Sequence, residues 1–215
     1  MMAIERLNRY QAFAIHLLLS LVFFLIVLLL ITEFWYPGFL FSSAGGDKAV
    51  QLIIGIDLIL GPLLTLIVFN TAKASLKKDL LIILAIQLAA LTAGSFTIWH
   101  SRPVAVIYHH PEFTTIYANN PVVSKISPLL QQSDNNPPML YYRDPTGGFD
   151  TQYQQGEFVL YSSAREEIKP LITRIGRATD NNTSISVSLD KARNSNTRLL
   201  INTQDLSVIN VSGTE

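Results

Sequence analysis

Three long apolar stretches fill most of the first hundred residues of the chain. They run from about Ala12 to Phe34, from about Val50 to Asn70 and from about Leu80 to Trp99. A helix of about 20 mostly apolar residues crosses a bilayer core of ~30 Å, and each stretch reaches that length. The pattern therefore predicts a three-helix transmembrane region over residues 1–100.

After Ser101 the pattern changes to short segments rich in β-branched and aromatic residues, which are typical of strands. Strands are predicted at residues 104–108, 139–143, 157–162, 184–189, 197–202 and 207–212. One helix is predicted at about 164–177, where Pro170 limits it or marks its start. The predicted fold class is therefore membrane α-helical, with three transmembrane helices, plus a small soluble α+β domain over residues 101–215.

The Lys and Arg residues near the helix ends predict the orientation, because these residues favour the cytoplasmic side of a membrane. Arg6 and Arg9 precede the first stretch, and Lys73, Lys77 and Lys78 lie between the second and the third. The N-terminus is therefore expected in the cytoplasm and the C-terminal domain outside. The first stretch is alternatively a secretory signal, but signal cores are typically ~7–15 residues long, which favours an uncleaved anchor.

Composition narrows the classes of function. The formal net charge is zero, and 21 of the 32 charged residues follow His100. Without a basic cluster, nucleic acid is not an expected partner, since binding to phosphates depends on Lys and Arg. The chain has no cysteine, which excludes disulfides, thiolate metal sites, iron–sulfur clusters and cysteine nucleophiles.

The sequence offers little support for catalysis. His109, His110 and Glu112 lie close together, but adjacent residues of a strand point to opposite faces and cannot easily share one metal ion. No nucleophile elbow, phosphate loop or dinucleotide fingerprint is present. Intramembrane aspartyl proteolysis needs two carboxylates, whereas the predicted helices contain only Asp57 away from their ends. We expect no enzyme activity, no cofactor and no metal.

A charged residue within a membrane is costly and is usually functional, which directs attention to Asp57. Asp57, Gly61 and Thr65 recur every four residues and share one stripe of the second helix, while Pro62 loosens that helix locally. Small residues allow helices to approach closely, and polar ones hydrogen-bond between helices. The helix-packing and partner-binding candidates are Asp57, Gly61, Pro62, Thr65, Gln87, Ala90, Thr92 and Gly94. Packing among the three helices alone is an alternative explanation of this stripe.

Four segments, in this order and spacing, resemble the TfpX/TfpZ family of type IV pilin accessory proteins. They read RYQAFAIHLLLSL, WYPG, GIDLILGPLLTLIVFN and LIILAIQLAALTAG, and the core from Asp57 to Phe69 is the most specific part. The resemblance implies a bacterial inner-membrane protein with a periplasmic domain and no catalytic activity. It would assist, like a chaperone, the assembly or surface display of a cognate type IV major pilin.

This resemblance suits the arrangement predicted from the residues. A pilin is anchored by one apolar helix with its globular part outside, so an accessory protein would contact it with both its helices and its outer domain. The expected partners are the type IV major pilin and the lipid bilayer, with the pilus assembly platform as a further candidate. The alternative is a membrane-anchored periplasmic ligand-binding sensor or structural subunit.

Overall fold

A computed structural model of the chain describes residues 7–36, 38–145, 153–178, 184–190 and 197–213. Arg6 lies outside these ranges. The first helices are α1 (Arg9–Trp35), the short α2 (Leu40–Ser43), α3 (Gly46–Val68) and α4 (Leu76–His100). Helices α1, α3 and α4 are long and apolar enough to cross a membrane, which confirms the predicted three-helix pattern.

Local sequence explains where α1 begins. The Asn8 side chain accepts a hydrogen bond from the Gln11 backbone at 2.8 Å, and the Gln11 side chain accepts one from the Asn8 backbone at 2.9 Å. This reciprocal capping pairs backbone donors that have no partner inside the helix. As a result α1 extends N-terminally beyond its apolar run.

Helix α3 departs from regular α geometry where the sequence predicts loosening. Residues Ile54–Leu60 form a π-helical segment, and regular α-helix resumes at Gly61, directly before Pro62. Proline has no backbone N–H to donate, and π-helical segments inside helices are frequent at functional sites. Asp57 lies in the middle of this segment.

Residues 32–46 and 100–215 form a second compact unit, here called the head. Its described secondary structure comprises helices α5 (Val123–Leu130) and α6 (Arg165–Ile175) and eight strands. The strands are β1 (Pro103–His109), β2 (Glu112–Tyr117), β3 (Met139–Arg143), β4 (Glu157–Leu160), β5 (Arg177–Ala178), β6 (Ser184–Asp190), β7 (Thr197–Asn202) and β8 (Val208–Gly213).

The strands form one mixed sheet in the order β4-β3-β1-β2-β6-β7-β8, with β5 paired to β6. Strand β1 runs antiparallel to β2 and parallel to β3. Strands β6, β7 and β8 are consecutive antiparallel neighbours. The described part of the head is thus a helix-and-sheet domain, which confirms the predicted fold class.

Around β1 both faces of the sheet carry buried side chains, and successive side chains of the strand point to opposite sides. On one face Val106 and Tyr108 join a core that includes Ile168 and Ile172 of α6. On the other face Ile107 joins a core that includes residues of α5. Strand β1 is therefore buried almost throughout, as is typical of a central strand covered on both sides.

The connection between α1 and α3 is part of the head. Leu40 is fully buried and belongs to the same core cluster as the residues of α6, and Tyr36 is also buried. Gly38 has a φ of +57°, and a Cβ added there would lie 2.6 Å from the carbonyl oxygen of Asn136. Glycine is the residue that tolerates this backbone conformation and this close approach.

Candidate functional site

The polar stripe predicted on α3 lies in the first compact unit, which comprises residues 1–31 and 47–99. Gly61, Pro62 and Thr65 are buried, whereas Asp57 is partly buried. Helix α3 packs along α1 over this region. The stripe is therefore the face that α3 turns towards its neighbours rather than towards lipid.

Gly61 permits a close contact with α4. A Cβ added at Gly61 would collide with the side-chain amide of Gln87, so the missing side chain makes room for this amide against the backbone of α3. The predicted small-residue contact between the two helices therefore has a definite geometry here. Its partner on α4 is a polar side chain.

A histidine on α1 completes the polar group. His16 Nδ1 lies 2.6 Å from the Thr65 hydroxyl oxygen, within hydrogen-bond distance. His16 is not among the packing candidates predicted from the sequence, because its partner lies on another helix and the sequence indicates the depth of each residue in the membrane only roughly. The one available signal was a histidine within an otherwise apolar helix.

These side chains border a cavity of about 210 Å³ between the three helices. Its lining combines polar and apolar side chains: His16, Leu19, Ser20, Phe23, Asp57, Leu84, Gln87, Leu88 and Leu91. Asp57 Oδ1 and Gln87 Oε1 are buried and have no hydrogen-bond partner among the described residues. Two of the side chains that line the cavity therefore carry an acceptor oxygen without a partner among the described residues.

The remaining candidates of α4 lie elsewhere. Thr92 is exposed and donates its hydroxyl to the Leu88 carbonyl oxygen of its own helix at 2.7 Å. Ala90 is partly buried and does not line the cavity. A Cβ added at Gly94 would meet no atom within 4 Å, so the chain itself makes no close approach there.

His16 and Ser20 both line the cavity, and His16 Nδ1 bonds to Thr65 on α3. The polar group therefore links α1 to α3 through an interhelical hydrogen bond.

His109 and His110 differ in environment, because His109 ends β1 and His110 lies in the turn that follows. His109 is buried, and its Nε2 lies 3.6 Å from Asp144 Oδ2. His110 is exposed and lies with Nδ1 3.1 Å from the Tyr108 hydroxyl. No group of three potential metal ligands occurs in the described ranges.

Charged and aromatic groups stabilise the head. Arg143 donates to Glu167 at 2.6 and 3.1 Å, and these hydrogen bonds lower the pKa of the Glu167 carboxyl. Burial raises the pKa of Tyr108 and Tyr161 well above the ordinary value, so both hydroxyls stay protonated. These groups therefore contribute to the packing and surface ion pairs of the head.

Comparison with known proteins identifies the family. The chain is 32% identical over 175 residues to the fimbrial assembly protein of serogroup I from Dichelobacter nodosus. This match covers 72% of the chain and 68% of that protein. The chain belongs to the fimbrial assembly protein family.

Two shorter matches within the fimbrial assembly protein family agree. The serogroup E1 protein of Dichelobacter nodosus is 43% identical over 97 residues, which cover 44% of the chain and 37% of that protein. The protein of serogroups C1 and C2 is 42% identical over 97 residues, which cover 44% of the chain and 73% of that protein. No family model and no solved structure matches the chain.

Proposed function

We propose that the chain is a membrane accessory factor for the assembly of type IV pili, which assists the assembly or surface display of a cognate major pilin. The observation that carries this proposal is membership of the fimbrial assembly protein family. The resemblance to the TfpX/TfpZ accessory proteins narrows the role from assembly in general to assistance of the pilin. The polar cavity supplies a surface for such assistance.

In the proposed orientation the helices span the bacterial inner membrane and the head lies in the periplasm. Residues 32–46 and 100–215 belong to the same compact unit, so they lie on the same side of the membrane. Because α3 and α4 each cross the membrane once, the turn between them, which contains Lys73, lies on the side of the membrane opposite the head. Its lysines favour the cytoplasm, and Arg9 at the start of α1 lies with them.

The proposed action is binding without catalysis. A pilin presents an apolar helix in the membrane and a globular part outside it, and this chain has matching parts in both places. Contacts at both levels would hold the pilin during its transfer to the assembly machinery. Neither a cofactor nor a metal enters this action.

A deletion experiment tests the proposal. Removing the gene should reduce surface pili, measured by electron microscopy and immunoassay of sheared filaments, while pilin remains in the membrane fraction. Expression of the full chain from a plasmid should restore surface pili. Unchanged pilus number after deletion would contradict the proposal and favour a sensor or a structural subunit with another partner.

A further inference from the structure

The cavity beside Asp57 continues into a second cavity on the side of α1 and α4. The second cavity, of about 250 Å³, shares His16, Leu19 and Leu84 with the first. It extends the lining to Leu7 of the chain and to Leu80 of α4. The two cavities form a continuous groove, here called the α1/α4 groove, with α3 as its floor.

The length of the α1/α4 groove fits a helix. Its lining on α1 runs from Ala12 to Phe23. At 1.5 Å per residue this distance is about 17 Å, more than half of the ~30 Å hydrocarbon core of a bilayer. The walls are mainly apolar, with leucine the most frequent residue, so an apolar helix would meet chemically similar surface on both sides.

The floor of the groove distinguishes a helix from a lipid chain. Asp57 Oδ1 and Gln87 Oε1 are buried without a hydrogen-bond partner among the described residues. A buried polar group left unpaired is costly, and an acyl chain has no donor to offer. A helix side chain with a hydroxyl, amide or amine group would satisfy these oxygens from within an otherwise apolar surface.

The distribution of Lys and Arg residues also favours a helix as the occupant of the groove. The sequence has no Lys or Arg between Lys48 and Lys73, nor between Lys78 and Arg102. The membrane parts of α3 and α4 therefore supply no Lys or Arg as a cation for Asp57. Glycine at position 61 brings the Gln87 amide to the same floor. The His16 ring, the Ser20 hydroxyl and the Gln87 amide line the same cavity, but none of them bonds to Asp57 Oδ1, so an incoming helix can supply a donor there.

We propose that the α1/α4 groove binds the apolar membrane helix of the pilin, and that a donor group on this helix is bound by Asp57 and Gln87. This inference rests on the proposed function and assigns it a site. The groove holds the helix laterally within the bilayer, so the pilin can enter and leave without crossing the membrane surface.

Photocrosslinking in cells that express the pilin tests the site with matched positions. A photoreactive amino acid replaces Leu19 or Leu88, which line the groove, or Leu18 or Ile86, which do not. All four side chains are exposed, from 52% at Leu88 to 64% at Leu18, so the comparison depends on position and not on exposure. Crosslinks to pilin are expected from the groove positions and at least about tenfold less from the control positions. Equal crosslinking at all four positions, or crosslinks to lipid alone at the groove, overturns the proposal.

Two substitutions test the donor. Asp57→Leu should lower pilin crosslinking from position 88 roughly three- to twenty-fold, as for loss of one interhelical hydrogen bond, whereas Asp57→Asn keeps an acceptor oxygen and should retain it. Immunoblots establish that both variants reach the same abundance. Equal loss in both variants, or no loss in either, overturns the hydrogen-bond assignment.

The experiment separates the two proposals. If deletion of the gene abolishes surface pili and head positions crosslink to pilin while Leu19 and Leu88 do not, the proposed function stands and the groove inference fails. If deletion leaves pili unchanged and no position crosslinks to pilin, the proposed function fails as well.

Discussion

Replacing Leu40 by alanine tests whether the connection between α1 and α3 is part of the head. Leu40 is fully buried in the core cluster that also contains Met139 and Ile168. Fully buried Leu→Ala substitutions cost ~3 kcal/mol or more, because they remove apolar contact and leave a cavity. For a domain of roughly 100–150 residues, this cost corresponds to a fall in Tm of about 10 °C.

The assay is thermal unfolding of the full chain in detergent, followed by the near-ultraviolet circular dichroism of tyrosine. The matched control is Leu52→Ala on α3, where the side chain is 58% exposed and faces away from the described core. The control should shift Tm by no more than about 2 °C, as surface substitutions usually do. If Leu40→Ala shifts Tm no more than the control, the connection is not packed into the head and the reasoning fails.

Three further predictions concern single contacts. Gly61→Ala should displace the amide packed against it and reduce pilin crosslinking in the groove, whereas Gly94→Ala, with open space beside it, should not. Tyr142→Phe removes a hydroxyl that accepts a backbone N–H at 2.6 Å, and should cost about 1–2 kcal/mol in urea unfolding. Glu167→Gln should cost under about 1 kcal/mol at pH 7, because its partner Arg143 is exposed. Since the pKa of Glu167 is lowered in the fold, this contribution is present above the unfolded pKa and should vanish as pH falls through the folded one. A cost of Glu167→Gln that persists at pH 2 would contradict the ion-pair explanation.

The membrane helices could be predicted closely because apolar length alone determines them. The start of α1 could not, since the reciprocal Asn8–Gln11 capping adds helix before the apolar run. Likewise α3 begins at Gly46, several residues before the apolar stretch. Side-chain capping, rather than hydropathy, sets the start of α1.

In the head, β3 and β7 begin and end where the sequence predicts. Strand β2 was not predicted, because only His110 and Pro111 separate it from β1 and the segment was considered as a possible metal site instead. Helix α5 was missed because its serines and Pro128 are weak helix signals. Its burial against the sheet overrides that weak propensity.

The sequence predicts which candidate residues of α3 share a face, but not which residues of the other helices they contact. The spacing of Asp57, Gly61 and Thr65 gives their common face from the period of the helix alone. Which residue meets them depends on helix tilt and depth, which the sequence specifies only roughly. The contacts to Gln87 and His16 therefore emerge from the structure.

The placement of the head on the periplasmic side is the claim on which contact with a pilin depends, and cysteine labelling tests it most directly. The chain has no cysteine, so Asp134→Cys in the head and Ala72→Cys in the turn before α4 each introduce a single exposed thiol. A membrane-impermeant maleimide, added to cells with a permeabilised outer membrane, should label Asp134→Cys at once and Ala72→Cys only after lysis. The reverse pattern would place the head in the cytoplasm and contradict the account.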